Sequence, residues 1–328
     1  DNGEDKLMKA LNQLGLKPNS HNMLMLAKKY TQIFFEDCEK LNILKPNIIC
    51  KASNHISDMI KLIKHIEKNG YTYQTSVGLI FDTSKFGEYA NLAKLKVDQQ
   101  QAGARVSIDP ERKNLSDFAL WIVNQPNHVM QWESPWGKGF PGWHIECSAM
   151  SMKYLGEQFD IHCGGIDHIP VHHTNEIAQS DAAIGKKSVK YWLHGEFLVL
   201  KKEKMSKSSG SFIRLADLEM YEIPPLAYRY MCLSAHYRSP VTFSWKNLKK
   251  ANQSYQSLLN RVNLAKNEEG VKDKELKNKF EEMFMQKINN DFDTPKALAV
   301  MWKMLRSSLA GFQKIELITK FDSIFGLN

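Results

Sequence analysis

The segment from residue 159 to residue 200 constrains the fold more than any other part of the chain. A short run at 159–162 predicts a strand, and Gly164-Gly165 predicts the turn that ends it. A helix is predicted over 172–184, followed by a more apolar strand over 191–200. Strand, glycine turn, helix and strand in this order are typical of a nucleotide-binding α/β domain of the Rossmann type.

The rest of the chain is predicted to be largely helical. The apolar spacing predicts helix over residues 6–45, and an alternating pattern over 71–82 predicts one strand. Beyond Trp245 the pattern changes to amphipathic helices, and no repeat or low-complexity tract is present. These C-terminal helices are predicted at 246–266, 272–290 and 295–313. A separate all-α region therefore follows the α/β part.

Cys147, His172 and Glu176 form a candidate metal site. His172 and Glu176 are four residues apart, so a helix places both on one face. Cys147 lies in a separate segment, and the fold must bring it to them. Thiolate, imidazole and carboxylate are groups that bind zinc, usually four at a time. The set is one ligand short of a closed site, and the alternative is a buried thiol beside an ordinary helical pair.

Residues 204–208 (Lys-Met-Ser-Lys-Ser) form a candidate phosphate-binding loop. They follow the predicted strand at 191–200, and Ser209 and Gly210 add a hydroxyl and a flexible backbone. Lys204 and Lys207 would meet the charge of a polyphosphate there. The alternative is a solvated basic turn, which is the usual structure of a run of charges.

Composition bounds the class of protein. A chain of 328 residues can hold more than one domain, and its net charge of +8 favours a polyanionic partner. Its five cysteines are scattered and odd in number, which favours a reducing, cytoplasmic location over a disulfide framework. No stretch has the length and apolarity of a membrane span, so no membrane partner is expected.

Several motifs together resemble the class I cysteinyl-tRNA synthetases over nearly the whole chain. The most specific are residues 142–147 (Gly-Trp-His-Ile-Glu-Cys), 172–176 (His-His-Thr-Asn-Glu) and the lysine loop at 204–208. Further segments match family landmarks at 51–56, 101–106, 117–121, 134–137 and 293–295.

The resemblance implies a Rossmann-type class I synthetase catalytic domain with an inserted domain, followed by an all-α helical bundle. It assigns residues 1–45 to the remainder of the first catalytic half and 46–130 to the insertion. It assigns 131–214 to the second half with the lysine loop, 215–245 to a region contacting the tRNA stem, and 246–328 to an anticodon-binding bundle.

The resemblance also implies an activity: ATP-dependent activation of L-cysteine to cysteinyl-adenylate, then transfer to tRNA(Cys). One Zn²⁺ per subunit would select the substrate thiol, and Mg²⁺ would accompany ATP. The expected protein is a cytoplasmic monomer. The implied site residues are Lys204 and Lys207 for catalysis; Lys207, Gly164, Gly165 and Asp167 for the nucleotide; Trp143 and His172 for cysteine; and Cys147, His172 and Glu176 for zinc.

The match is incomplete in ways that matter for the metal. Family members hold zinc with two Cys, one His and one Glu, and the N-terminal Cys has no counterpart here. The N-terminal histidine signature that helps to bind ATP has none either, so both are expected upstream of Asp1. Within the match, Thr174 stands where Glu is usual and Cys163 where Gly is usual. Neither departure removes a candidate ligand, but Cys163 is a second thiol that could compete for metal.

Two other functions remain open on the sequence alone. A ligase that joins cysteine to an amino-sugar would share the same active-site plan, and the tRNA-binding character of the helices after residue 245 argues against it. A zinc-stabilised RNA-binding module without enzymatic activity would explain the charge and the ligands. That module leaves the lysine loop unexplained and predicts a closed four-ligand zinc site.

Overall fold

The computed structural model describes residues 6–89, 91–93, 110–200, 203–204 and 213–328. The chain forms two compact units. The first consists of Asp1–Gln32 and Pro46–His194, and the second of Ile33–Lys45 and Gly195–Asn328. Among the described residues, no helix is both long and apolar enough to cross a membrane.

The first unit contains two sheets and most of the N-terminal helices. Its helices are α1 (Lys6–Gln13), α2 (Ser20–Lys40, whose last turns belong to the second unit), α3 (Ile56–Lys68), α4 (Trp143–Leu155) and α5 (Thr174–Ile184). Its strands are β1 (Thr72–Thr75), β2 (Gly78–Phe81), β3 (Phe118–Val123), β4 (Gly139–Pro141), β5 (Phe159–Gly165) and β6 (Val189–Gly195). Strands β1 to β4 form an antiparallel sheet in sequence order, and β5 pairs with β6.

The single strand predicted over 71–82 is a hairpin. Thr75 pairs with Gly78 across the turn that joins β1 to β2. Gly78 has a φ of 142°, and a Cβ there would lie 2.0 Å from the carbonyl oxygen of Trp121 on β3. Only glycine combines this backbone angle with such a close approach. An alternating pattern does not distinguish one long strand from two short paired strands, so the sequence missed the turn.

A shared apolar core holds α3, α4 and α5 on the four-stranded sheet. Ile63 of α3, Trp121 of β3, Ile145 of α4 and Ala178 of α5 are fully buried in it. Burying a side chain the size of Ile63 contributes about 1.5–3 kcal/mol. Ile145 and Ala178 therefore fix which faces of α4 and α5 meet, and this packing positions the first turns of both helices.

The second unit is a helical bundle with a small sheet. Its helices are α6 (Leu215–Glu219), α7 (Pro225–Leu233), α8 (Trp245–Ala265), α9 (Lys274–Ile288), α10 (Thr294–Leu305) and α11 (Gly311–Phe325). Strand β7 (Leu198–Leu200) pairs antiparallel with β8 (Glu203–Lys204) and parallel with β9 (Val241–Phe243). Phe284 of α9 stacks on Phe321 of α11 with ring centroids 3.9 Å apart, and both are buried in the bundle core.

The helix predicted over 295–313 is two helices, α10 and α11. The backbone between them pairs with Val271, whose N–H donates to Ser308 and whose carbonyl accepts from Ala310. Gly311 then starts α11, where a Cβ would lie 2.1 Å from the carbonyl oxygen of Ala265. Contacts from a distant segment therefore satisfy the backbone groups that a continuous helix would have paired.

Candidate active site and metal centre

The structure brings the three predicted metal ligands together. The ligand atoms of Cys147, His172 and Glu176 all lie within 4.8 Å of one another. Cys147 is in the second turn of α4, and Glu176 is in the first turn of α5. The apolar packing of α4 against α5 therefore places the Cys147 thiol beside His172 and Glu176. The spacing of these residues in the sequence could not show this contact.

His172 lies on a wide helical turn immediately before α5. Ile169–His173 form one turn of π-helix, which α5 then continues from Thr174. Pro170 near its start has no N–H to pair, and π-turns of this kind occur frequently at functional sites. Across the junction, Nε2 of His172 lies 2.9 Å from Oε1 of Glu176. The predicted helix at 172–184 is thus confirmed for its main part, with a wider first turn than expected.

His144 orients the imidazole of His172. The Nδ1 atoms of the two rings lie 2.9 Å apart, so one donates to the other. Burial and the neighbouring His172 lower the pKa of His144 to about 3, so His144 is neutral at ordinary pH. With Nδ1 of His172 engaged by His144, its Nε2 is left to face Glu176. Such a second partner commonly fixes the ring of a metal-binding histidine.

Glu176 is the feature that most strongly indicates a cation. Its side chain is 3% exposed, and Oε1 has no hydrogen-bond partner in the described part of the chain. A buried carboxylate oxygen that accepts no hydrogen bond is costly, and a metal ion relieves that cost. The three donors also suit zinc, since thiolate, imidazole and carboxylate are its usual protein ligands, and catalytic sites keep one position open.

Cys147 is protonated in the protein without metal. Burial chiefly, with the nearby Glu176, Glu146 and Cys50, raises the pKa of its thiol to about 12. A thiolate is the form that binds metal, so a metal bound here must displace the thiol proton. Cys163, the competing thiol, is exposed at the end of β5, and it is not part of either candidate metal group in the described residues.

Other histidines surround the same carboxylate. Nε2 of His162 lies 3.6 Å from Oε2 of Glu176, and Nε2 of His173 lies 3.9 Å from Oε1. His162, His173 and Glu176 form a second group within ligand distance. Nδ1 of His173 lies 2.8 Å from Nε2 of His194 on β6. Burial is the main reason that the pKa of His173 is lowered to about 3. The first group fits zinc better because it contributes a thiol.

Sequence reasoning gave no role to His144, His162, His173 or His194. One indication of them was visible in the sequence, the concentration of histidines in one segment: six of the eleven histidines in the chain lie between residues 144 and 194. Those six are His144, His162, His168, His172, His173 and His194.

Trp143 and the glycine turn border the metal group. The Trp143 side chain is 56% exposed, and its ring centroid lies 4.1 Å from that of His172. At the end of β5, a Cβ on Gly164 would lie 2.4 Å from Cε1 of His173. A Cβ on Gly165 would lie 2.4 Å from Oδ1 of Asp167. The turn residues therefore lie directly against the histidine cluster, and the predicted cysteine and nucleotide residues are neighbours within one unit.

Gly164→Ala should disturb the metal site. The added methyl group must displace the His173 ring, which lies beside Glu176, so we expect a loss of about 1–3 kcal/mol in the free energy of unfolding and a clear fall in zinc affinity. Gly87→Ala is the matched control, since a Cβ there meets nothing within 4 Å. Chemical denaturation and a zinc competition titration measure the two effects. Equal behaviour of the two variants would contradict the close packing described above.

The predicted phosphate loop lies mostly outside the described residues. Lys207 is outside them, as is the 101–106 landmark, and Lys204 is described only as a backbone position in β8. The roles of both lysines therefore stay predictions.

Comparison with known proteins defines the class of this chain. Residues 3–253 match the family model of the class I (C) tRNA synthetase catalytic domain. The fold is similar to that of a methionyl-tRNA synthetase from Mycobacterium tuberculosis, with a TM-score of 0.63 at 14% identity over 97% of this chain and 79% of that one. A second structure of that enzyme gives a TM-score of 0.65 at 14% identity over 98% and 74% of the two chains. The protein is a class I aminoacyl-tRNA synthetase, and the predicted α/β fold class is confirmed.

Curated relatives show which family of class I synthetases this chain belongs to. The cysteine--tRNA ligase of Treponema denticola is 44% identical over all of this chain and 70% of its own length. Cysteine--tRNA ligase 1 of Burkholderia lata is 45% identical over 100% and 68% of the two chains, and the Thermus thermophilus enzyme is 38% identical over 99% and 68%. The chain belongs to the cysteine--tRNA ligase family, as its motifs predicted.

Proposed function

We propose that this cysteine--tRNA ligase selects its amino acid through a zinc ion held by Cys147, His172 and Glu176. The observation that carries the proposal is the buried Glu176 carboxylate, whose Oε1 has no hydrogen-bond partner in the described residues while Nε2 of His172 lies 2.9 Å away. A cation between these two atoms and the Cys147 thiol satisfies all three.

Selection of cysteine over serine explains why a metal is useful here. The two amino acids differ by one atom, and a purely apolar pocket separates near-isosteres only about a hundredfold. Bound zinc supplies strong, selective affinity for sulfur and lowers the pKa of a thiol. His144 holds the His172 ring in the orientation for metal binding. Trp143, half-exposed and beside His172, covers one side of the pocket in which the substrate side chain lies.

Activation of the amino acid takes place next to this pocket in the proposal. The solved methionyl-tRNA synthetases hold methionyl-adenylate, which supports ATP use by this chain. The cysteine carboxylate attacks the α-phosphate of Mg²⁺-bound ATP, and pyrophosphate leaves. Gly164, Gly165 and Asp167 adjoin the ribose, and Lys204 and Lys207 bind the phosphates. Such a reaction depends on positioning and charge stabilisation more than on covalent help from the protein.

The second unit is proposed to bind tRNA(Cys). We assign residues 215–245 to the stem-contact region and the helices of 246–328 to anticodon binding, in a monomeric protein. The basic net charge of the chain supports an RNA partner. An amino-sugar ligase of the same plan is less well supported, because the relatives that match the whole chain are named cysteine--tRNA ligases.

The test is cysteine-dependent exchange of pyrophosphate into ATP by the full-length protein, with serine as the control. We expect exchange with cysteine, no exchange with serine, and loss of exchange after zinc is chelated. Readdition of zinc should restore it. A zinc-loaded full-length protein that exchanges with neither amino acid would rule out the proposal and favour an RNA-binding module.

A further inference from the structure

His168 is a half-buried imidazole at the centre of the site to which no role has yet been given. It ends the short turn formed by Ile166–His168, between β5 and the π-turn. Its ring centroid lies 5.2 Å from that of His172, 5.2 Å from that of His173 and 6.1 Å from that of Trp143. His168 therefore borders the proposed cysteine pocket on one side.

On its other side, His168 contacts the glycine turn. The backbone N–H of Gly165 donates to Nδ1 of His168 at 3.2 Å. A Cβ on Gly164 would lie 3.0 Å from the same Nδ1, so the turn lies directly against the imidazole. His168 thus contacts both residues assigned to the amino acid and residues assigned to the nucleotide.

The hydrogen bond from Gly165 decides which ring nitrogen of His168 carries the proton. Nδ1 accepts from a backbone N–H, so the neutral ring has its proton on Nε2. Among the described residues, the His168 side chain makes one hydrogen bond, the one that Nδ1 accepts from Gly165, and its Nε2 has no hydrogen-bond partner and no ion pair. Nε2–H of His168 is therefore an unused N–H donor beside both subsites.

We propose that Nε2–H of His168 donates a hydrogen bond to the group that joins the amino acid to the nucleotide. That group is the cysteine carboxylate before reaction and the α-phosphate oxygens of the adenylate after it. The inference rests on the proposed function and extends it by a substrate-contacting residue. The carboxylate and the α-phosphate are both anionic, and a fixed N–H donor stabilises negative charge on either group.

The donor is consistent with the balance of the reaction. A carboxylate oxygen forms a bond to the α-phosphorus, the bond from that phosphorus to the bridging oxygen of pyrophosphate breaks, and no proton is transferred. His168 keeps its proton throughout and stabilises the charge that develops on the α-phosphate oxygens. It makes no covalent bond.

Two substitutions separate the donor from the turn contact. In His168→Asn the amide oxygen can still accept from Gly165, but the side chain is too short to place a donor where Nε2 stood. In His168→Gln the amide nitrogen reaches the position of Nε2. The full-length, zinc-loaded protein is assayed for cysteine-dependent pyrophosphate exchange, zinc content, and the dissociation constants of cysteine and of a non-hydrolysable cysteinyl-sulfamoyl-adenosine.

We expect His168→Asn to lower kcat/KM for exchange and the binding affinity for the adenylate analogue, each by about 10- to 100-fold. Its affinity for cysteine alone should also fall, because the cysteine carboxylate loses the same donor, while its zinc content should stay within about threefold of the wild-type value. His168→Gln should recover most of these losses.

Three results would overturn the inference in distinguishable ways. Asn and Gln variants that bind the analogue as the wild type does would exclude contact with the adenylate. Equal losses in both variants together with lost zinc would make His168 a purely structural residue. A wild-type protein without exchange would remove the proposed function itself, and this inference with it.

Discussion

Cys147→Ser should reduce bound zinc from about one ion per chain to less than a tenth, and cysteine-dependent exchange by about a thousandfold or more. A serine hydroxyl is a poor zinc ligand, so His172 and Glu176 would be left as a two-donor site. Metal analysis of the dialysed protein and the pyrophosphate exchange assay measure the two losses. Thermal unfolding in the presence of a chelator serves as the check that the variant still folds.

Cys163→Ser is the matched control for this prediction. Cys163 is an exposed thiol at the end of β5, and it belongs to neither candidate metal group among the described residues. We expect full zinc content and unchanged exchange in this variant. If Cys163→Ser lost zinc and Cys147→Ser kept it, Cys163 rather than Cys147 would be the metal-binding thiol.

The raised pKa of Cys147 gives the same prediction a pH dependence. Because the thiol of the metal-free protein is protonated up to a pH of about 12, zinc binding releases its proton. The affinity for zinc should therefore rise with pH, by about tenfold per unit for this single proton. The slope of log affinity against pH should be smaller by about one in Cys147→Ser. An unchanged slope would mean that Cys147 is not the group deprotonated.

The second large effect is expected in the helical bundle, at a buried charge. Lys314 of α11 is fully buried, and its Nζ lies 3.0 Å from Oε1 of Glu268. Arg261 also donates to Oε1, at 3.1 Å, and to the carbonyl of Leu305, at 2.8 Å. Glu268→Gln leaves the ammonium buried without an anion, so the free energy of unfolding should fall by about 3 kcal/mol.

Two further variants show whether the buried charge is responsible. Lys314→Met removes the ammonium together with its need for a partner, and its effect should be much smaller than that of Glu268→Gln. Glu316→Gln removes an exposed ion pair with Lys277 and should change stability by less than about 1 kcal/mol. Amide hydrogen exchange in α11 reports the stability of this unit directly. Similar losses in all three variants would contradict the argument.

The pairing of buried Lys314 with Glu268 should also make the bundle sensitive to acid. Lys314 first, and Arg261 in addition, hold the pKa of the Glu268 carboxyl below its ordinary value. A carboxyl whose pKa is lowered on folding stabilises the protein above the unfolded pKa, and the stabilisation is lost as the pH falls towards the folded pKa. Amide exchange in α11 should thus quicken below the ordinary titration range of glutamate, and Glu268→Gln should lack this part of the response.

The sequence indicated the three candidate metal ligands because their chemistry and local spacing are visible in it. His172 and Glu176 are four residues apart, and α5 with its preceding turn does place them on one face. Cys147 was predicted by its residue type and by the motif around it, while its approach to the pair depended on the packing of Ile145 and Ala178. The assignment of the ligands to zinc stays a prediction.

The sequence did not predict the contacts that orient those ligands. His144 bonds to His172 across 28 residues and His173 to His194 across 21, and each pair joins two different elements. No periodicity marks such contacts. The same reason explains the missed break before Gly311, where the backbone pairs with Val271 from a distant loop.

By itself the sequence determined the class of protein, the candidate ligands and the strand, turn and helix of residues 159–184, because these depend on residue type and short-range spacing. Only the tertiary structure decided which atoms face Glu176, which nitrogen of His168 carries a proton, and that Lys314 is a buried charge. Those properties depend on desolvation and on distances between segments far apart in the chain, and both are determined only when the chain folds and its core packs.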